Sequence, residues 1–168
     1  MIILKFFICI AIILICAYLG FEKARTYEIR SIELQKIKNG FSFFKSKVEF
    51  TYEPIKDILD EISKTVYLGE ENIFGNTNKY LKDYDVSKAW RKAVDEEKKI
   101  NNEDKEVLKQ FGKLLGKTDK NGQISEINLS LNFTQSQIEK AEYAKIKNTK
   151  LYKSLGVISG LGIAIILW

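Results

Sequence analysis

The side chains that could do chemistry are numerous but poorly assorted. The chain holds 22 acidic and 27 basic residues, two cysteines and no histidine. Without histidine, a Ser-His-Asp triad, imidazole acid–base chemistry and every metal site built on imidazole ligands are excluded. Two cysteines supply neither a four-thiolate metal site nor a disulfide scaffold. The carboxylates come in runs, Asp95-Glu96-Glu97 and Glu103-Asp104. Neighbours on a helix diverge by about 100°, a poor start for an acid/base pair. Lysines flank each run, which reads as a solvated face. No G-x-x-x-x-G-K-[ST] or G-x-G-x-x-G loop is present to cradle phosphate. Asp119-Lys120-Asn121-Gly122 opens like a calcium loop but lacks the later oxygen donors and the closing Glu. Asn128-Leu129-Ser130 and Asn132-Phe133-Thr134 match a glycosylation pattern, read as accidental in a helical cytoplasmic segment. The expectation is a protein that is no enzyme, with no catalytic, cofactor-binding or metal residue and no cofactor.

The elements that carry these residues are set by the two ends. Among 168 residues, positions 1–21 hold one charged side chain, Lys5, and positions 151–168 hold one, Lys153. About 20 apolar residues at ~1.5 Å each cover a ~30 Å hydrocarbon core. Residues 1–21 therefore read as an N-terminal transmembrane helix, with Lys5 snorkelling from its end. No small-x-small cleavage site follows, and Ile15 is bulky before Cys16 where a lipoprotein needs a small residue. Cys9 and Cys16 read as small packing residues within that span. Residues 151–168 form a shorter second span, bounded by Tyr152, Trp168, Lys150 and Lys153. Gly156 and Gly160 make a G-x-x-x-G step for close helix approach in lipid, with Ala11, Ala17 and Gly20 offering small surface opposite.

Two spans put residues 22–150 on one side of the bilayer. Lys23, Arg25, Arg30, Lys36 and Lys38 follow the first, and Lys145, Lys147, Lys150 and Lys153 surround the start of the second. The positive-inside rule then makes the middle cytoplasmic. With 25 basic against 22 acidic residues of alternating sign, that middle gives no reason to expect nucleic acid.

Its period is helical, giving an all-α bundle of about six helices whose long first and last members extend into the spans. Tyr27, Leu34, Ile37, Phe41, Phe44 and Val48 form a 3-4 stripe to about residue 50, where Pro54 stops or restarts the helix. Ile55, Ile58, Leu59, Ile62 and Val66 follow, then a weak segment around 72–82. Asp85 or Ser87 caps a helix with Val86, Ala89, Trp90, Ala93 and Val94 inward. Asn101 or Asn102 caps the next, facing inward with Val107, Leu108, Phe111, Leu114 and Leu115, and Gly116 is placed to end it in a left-handed turn. From Gln123 a last helix carries Ile124, Ile127, Leu131, Ile138 and Ala141 inward and continues into the second span.

One combination is more specific than its parts. It comprises Tyr52-Glu53-Pro54, Ala89-Trp90, Phe111-Gly112-Lys113-Leu114-Leu115-Gly116-Lys117-Thr118-Asp119 with Gln123, and Leu151-Tyr152-Lys153-Ser154-Leu155-Gly156-Val157. In order and spacing, over essentially the whole chain, this resembles the stage III sporulation protein AB family of endospore-forming bacteria. The residues carrying the resemblance are Tyr52, Pro54, Ala89, Trp90, Gly112, Leu115, Gly116, Asp119, Gln123, Tyr152 and Gly156; Tyr67–Asp83 carries no family word. The resemblance implies a soluble domain similar to the cytoplasmic domain of type II secretion and type IV pilus platform proteins. It implies a membrane protein of the mother cell around the forespore, assembling with other channel proteins beside a secretion-type ATPase. The bilayer is a further partner, and self-association stays open. The alternative function is a membrane-tethered helical sensor or signalling scaffold without enzymatic activity, drawn from the Tyr27–Val48 seam.

Overall fold

The computed structural model describes residues 2–51, 53–113, 115 and 120–167. Among these are six helices and no strand: α1 (Ile2–Phe50), α2 (Ile55–Thr65), α3 (Ile73–Tyr80), α4 (Val86–Glu96), α5 (Asn102–Phe111) and α6 (Lys120–Leu167). They form two compact units. Ile32–Glu139 makes a helical body, and Met1–Ser31 with Lys140–Trp168 makes a helix pair.

In the body, short polar side chains set where helices begin. Pro54 precedes α2 with φ −59° and ψ 142°, and its carbonyl accepts from the amides of Asp57 and Ile58 at 3.0 and 3.2 Å. Asn72 resolves the weak segment: its Oδ1 accepts from the Gly75 amide at 2.9 Å and starts α3. Its Nδ2 also donates to Ser63 Oγ at 2.9 Å. Of the two alternatives for α4, Asp85 is the cap, accepting from the Lys88 amide. Asn101 caps α5 in a reciprocal box with Asp104, satisfying two amides that a helix start leaves unpaired.

The first stripe is core: Leu34, Ile37, Phe41 and Phe44 are fully buried. Around Phe41 lie the rings of Phe111 at 4.5 Å, Trp90 at 5.8 Å and Phe74 at 5.9 Å. The Trp90 indole N–H, which would be costly to bury unpaired, donates to the Leu108 carbonyl at 2.8 Å.

Two expectations need correction. Helix α5 ends at Phe111, earlier than the apolar pattern suggests, and its cap Gly112 is right-handed at φ −70°. The Lys113 amide reaches back only to the Gln110 carbonyl, a tightened last turn. Leu114 and Gly116 lie outside the described residues. On α6, Ile124 and Leu131 are half-buried, whereas Ser130, Thr134 and Gln137 are buried beside Ile127 and Ile138. The Thr134 hydroxyl donates to the Ser130 carbonyl at 2.7 Å, so a small polar side chain can face inward without an orphaned donor.

The helix pair runs antiparallel: Cys9 meets Ala164, Ile13 meets Gly160, and Gly20 meets Gly156. The Tyr27 and Tyr152 rings stack at 5.8 Å. Both helices contain a stretch long and apolar enough to cross a membrane, mostly unburied in the structure. Phe7, Leu14, Leu19 and Ile166 are among the apolar side chains that point outward.

Candidate functional site

The residues singled out by the sequence fall into separate places. Tyr52, Gly116 and Asp119 lie outside the described residues. Pro54 starts α2. Ala89 and Trp90 are fully buried on α4. The structure brings Trp90 and Gly112 together: a Cβ at Gly112 would come within 2.5 Å of Trp90 Cδ1 and 3.0 Å of Cγ. No side chain fits there while the indole keeps its bond to Leu108, so the Ala-Trp and Phe-Gly words encode one contact. Leu115 is buried and Gln123 half-buried, and both line a small void of about 10 Å3 with Phe111, Glu126 and Ile127.

Tyr152, Gly156 and Gly160 belong to the helix pair. A Cβ at Gly20 would come within 2.6 Å of the Tyr152 carbonyl oxygen and 2.9 Å of Gly156 Cα. One at Gly156 would come within 2.8 Å of the Cys16 carbonyl oxygen, and one at Gly160 within 2.9 Å of Ile13 Cα. These neighbours are backbone and cannot rotate away. The two helices touch main chain to main chain, the geometry of G-x-x-x-G packing.

The body's charged groups are arranged as braces. An open groove of about 780 Å3 is lined by Glu70, Glu71, Asp95, Glu96, Glu97 and Lys99, with Asn76, Lys98 and Lys105. Glu70 pairs with Lys36 at 2.9 Å, Asp95 with Lys109 at 2.7 Å, and Glu97 accepts from the Lys99 amide at 2.9 Å. Glu96 accepts from the Tyr80 hydroxyl. Bonding to Lys36 holds the Glu70 carboxyl below its ordinary range, as expected of a carboxylate kept charged by its partner. Lys47 joins α1 to α2 through Glu61 at 2.7 Å and Glu53 at 3.2 Å, and these bonds raise its pKa.

Sequence reasoning missed Glu33, an acid buried within the body. It is 2% exposed, with Oε2 3.2 Å from Lys99 Nζ and Oε1 buried without a hydrogen-bond partner. Burial raises its pKa, the Lys99 charge opposes the rise without cancelling it, and Glu97 adds to it. The buried Tyr67 hydroxyl also lacks a partner at hydrogen-bond geometry, and its pKa is raised by burial first and by the Glu33 charge second. Glu33 looks in sequence like any solvated acid; its place between Ile32 and Leu34 was the only signal. Gly40 was missed too, although a glycine inside a helix costs about 1 kcal/mol relative to alanine and so marks a reason. A Cβ there would come within 2.5 Å of Phe74 Cζ.

Fold and site together define an all-α protein with two candidate membrane-spanning helices, whose distinctive residues make packing contacts. The family described as Stage III sporulation protein AB matches residues 5–168, and the chain belongs to that family. Stage III sporulation protein AB of Bacillus subtilis (strain 168) is 28% identical over 169 residues, covering 98% of this chain and 99% of that protein. A solved structure, Stage III sporulation protein AB, aligns with a TM-score of 0.61 at 21% identity, over 70% of this chain and 97% of that one. This last likeness concerns the fold. The family description names a sporulation protein and no enzyme.

Proposed function

We propose that this chain is a non-enzymatic, membrane-anchored assembly platform of the channel between mother cell and forespore. In this reading residues 1–21 and 151–168 cross the mother-cell membrane around the forespore, and residues 22–150 stand in the cytoplasm. The body there receives other channel proteins and a secretion-type ATPase. The observation that carries the reading is the pairing of two outward-apolar helices, touching through glycine, with a body in whose groove Glu70, Asp95, Glu96 and Glu97 are bound to lysine, tyrosine and backbone partners. Membership of a sporulation family supplies the process.

Crosslinking in sporulating cells, followed by identification of the attached chains, tests the platform role. Recovery of other sporulation-channel components is expected; normal spores after clean deletion would overturn it. Orientation is tested by cysteine accessibility at the exposed positions Ser46 and Ser125, with Cys9 and Cys16 replaced. Labelling of both sites by an impermeant reagent in intact mother cells would reverse the topology.

A further inference from the structure

Three lysines of the helix pair differ from the lysines that brace the body. In the body, Lys36, Lys47, Lys99 and Lys109 each meet a carboxylate. Among the described residues, no carboxylate lies within ion-pair distance of Lys145, Lys150 or Lys153. All three line an open groove of about 510 Å3, with Thr149 and Ser154 beside them on α6 and Glu28 facing from α1.

The spacing makes this one surface. Residues 145, 149 and 153 follow i, i+4, i+8, and residues 150 and 154 run alongside. Like charges so placed repel, and three ammonium groups against one carboxylate leave a surplus of positive charge. A second and independent feature points the same way. Thr149 Oγ1 is buried with no hydrogen-bond partner, although a helical threonine normally satisfies itself on the carbonyl one turn back. The helices of the body do this at Thr77, Thr134 and Thr65. The groove thus offers several ammonium donors on one face with an unsatisfied hydroxyl buried at its wall, which a rotation of the Thr149 side chain would present, and this is the chemistry of a phosphate site.

Its level along the pair identifies the source of that phosphate. Lys153 Nζ lies 5.4 Å from the Phe21 ring centre, and the neighbouring Tyr152 stacks on Tyr27. Aromatic and lysine side chains of this kind mark the boundary between hydrocarbon and headgroups. Basic pockets between membrane helices on the cytoplasmic side are suited to anionic headgroups. We propose that this groove binds the headgroup phosphate of an anionic phospholipid, held by Lys150 and Lys153 with the Thr149 and Ser154 hydroxyls. The proposal rests on the membrane-spanning reading given above.

The test uses the full chain in lipid nanodiscs holding equal fractions of phosphatidylglycerol and phosphatidylcholine, released for native mass spectrometry. The wild type is expected to retain phosphatidylglycerol preferentially. Each of Lys150→Gln and Lys153→Gln should reduce that preference about fivefold, the usual effect of one basic residue at an anionic surface. Thr149→Val should reduce it less, and Lys147→Gln, outside the groove, should leave it unchanged. Equal retention of the two lipids by the wild type would overturn the proposal, as would a loss on Lys147→Gln equal to that of the groove variants. A parallel titration with inorganic phosphate in neutral detergent separates the sources. Saturable phosphate binding that vanishes in the double lysine variant, without lipid preference, would assign free phosphate and overturn the lipid. Alkaline extraction of the same membranes reports on the spans alone: release of the wild-type chain would overturn the membrane reading, whereas retention with equal lipid affinities would overturn only the headgroup site.

Discussion

In the body, Gly40 and Gly112 each lie under an aromatic ring, Phe74 and Trp90; in the helix pair, Gly20 and Gly156 lie against each other's main chain. The body uses missing Cβ atoms as seats for large side chains, whose removal from water drives its folding. The pair brings backbones together. If the pair crosses a membrane, as proposed above, apolar side chains bathed in hydrocarbon gain nothing by meeting, and close van der Waals approach takes over. One residue type thus serves two packing regimes, and the kind of neighbour, ring or backbone, tells which regime applies.

The sharpest way to break this contrast is to remove a ring. Phe44 is fully buried against Phe111, so Phe44→Ala should cost about 3–5 kcal/mol in the full chain, read by denaturant unfolding of the body. An unchanged midpoint would mean α1 is no part of the core. Filling a seat comes next. Gly112→Ala puts a methyl 2.5 Å from Trp90 Cδ1 and should cost about 1–3 kcal/mol, with a shift of Trp90 fluorescence as the indole is displaced. In the pair, Gly160→Leu should change body stability by less than about 0.5 kcal/mol, since it touches none of that core. It should instead abolish oxidative crosslinking between Cys9 and an Ala164→Cys partner, because bulk at Gly160 meets the backbone of Ile13. A body that melts early in this variant would show that the two regimes are not separable.

The smallest effect concerns charge. Because the folded-state pKa of Glu33 is raised, the native body holds that proton more tightly than the unfolded chain. Its contribution is fully favourable below the ordinary glutamate range and is lost as pH rises through the raised value. Glu33→Gln should therefore remove that loss: measured against wild type, its relative stability should increase from acid to neutral pH in urea midpoints. A difference independent of pH would show that the Lys99 pair governs Glu33 instead of burial.

Much of this was legible beforehand, and for physical reasons. The end of α1, the Asp85 and Asn101 starts (each one of two candidates) and the Leu34–Phe44 stripe depend on local chemistry or on a 3.6-residue period, both visible in one dimension, whereas α6 begins at Lys120, three residues before the expected Gln123. The small residues Gly156 and Gly160 announced a close contact and Gly20 was a candidate for its other side, though only the structure supplied Ile13 as the neighbour of Gly160. What stayed hidden depends on distant neighbours. Glu33 is defined by Lys99 and Tyr67, and Thr134 and Gln137 turn inward where apolar counting favoured Leu131. Leu68 adopts a left-handed φ of 52° while 86% exposed, a conformation that a bulky residue rarely takes and no composition rule signals. The Trp90–Gly112 contact was present as two separate words whose joining needed the fold.

The apposition of Gly20 with Gly156 also fixes an order of events. The two residues stand 136 positions apart, and synthesis runs at about 5–20 residues per second. The small-residue face of the first helix therefore exists for roughly 7–27 s before its own counterpart has been made. Every residue of the body is synthesised within that interval, so the second helix can pack against the first only after the whole body between them has been translated.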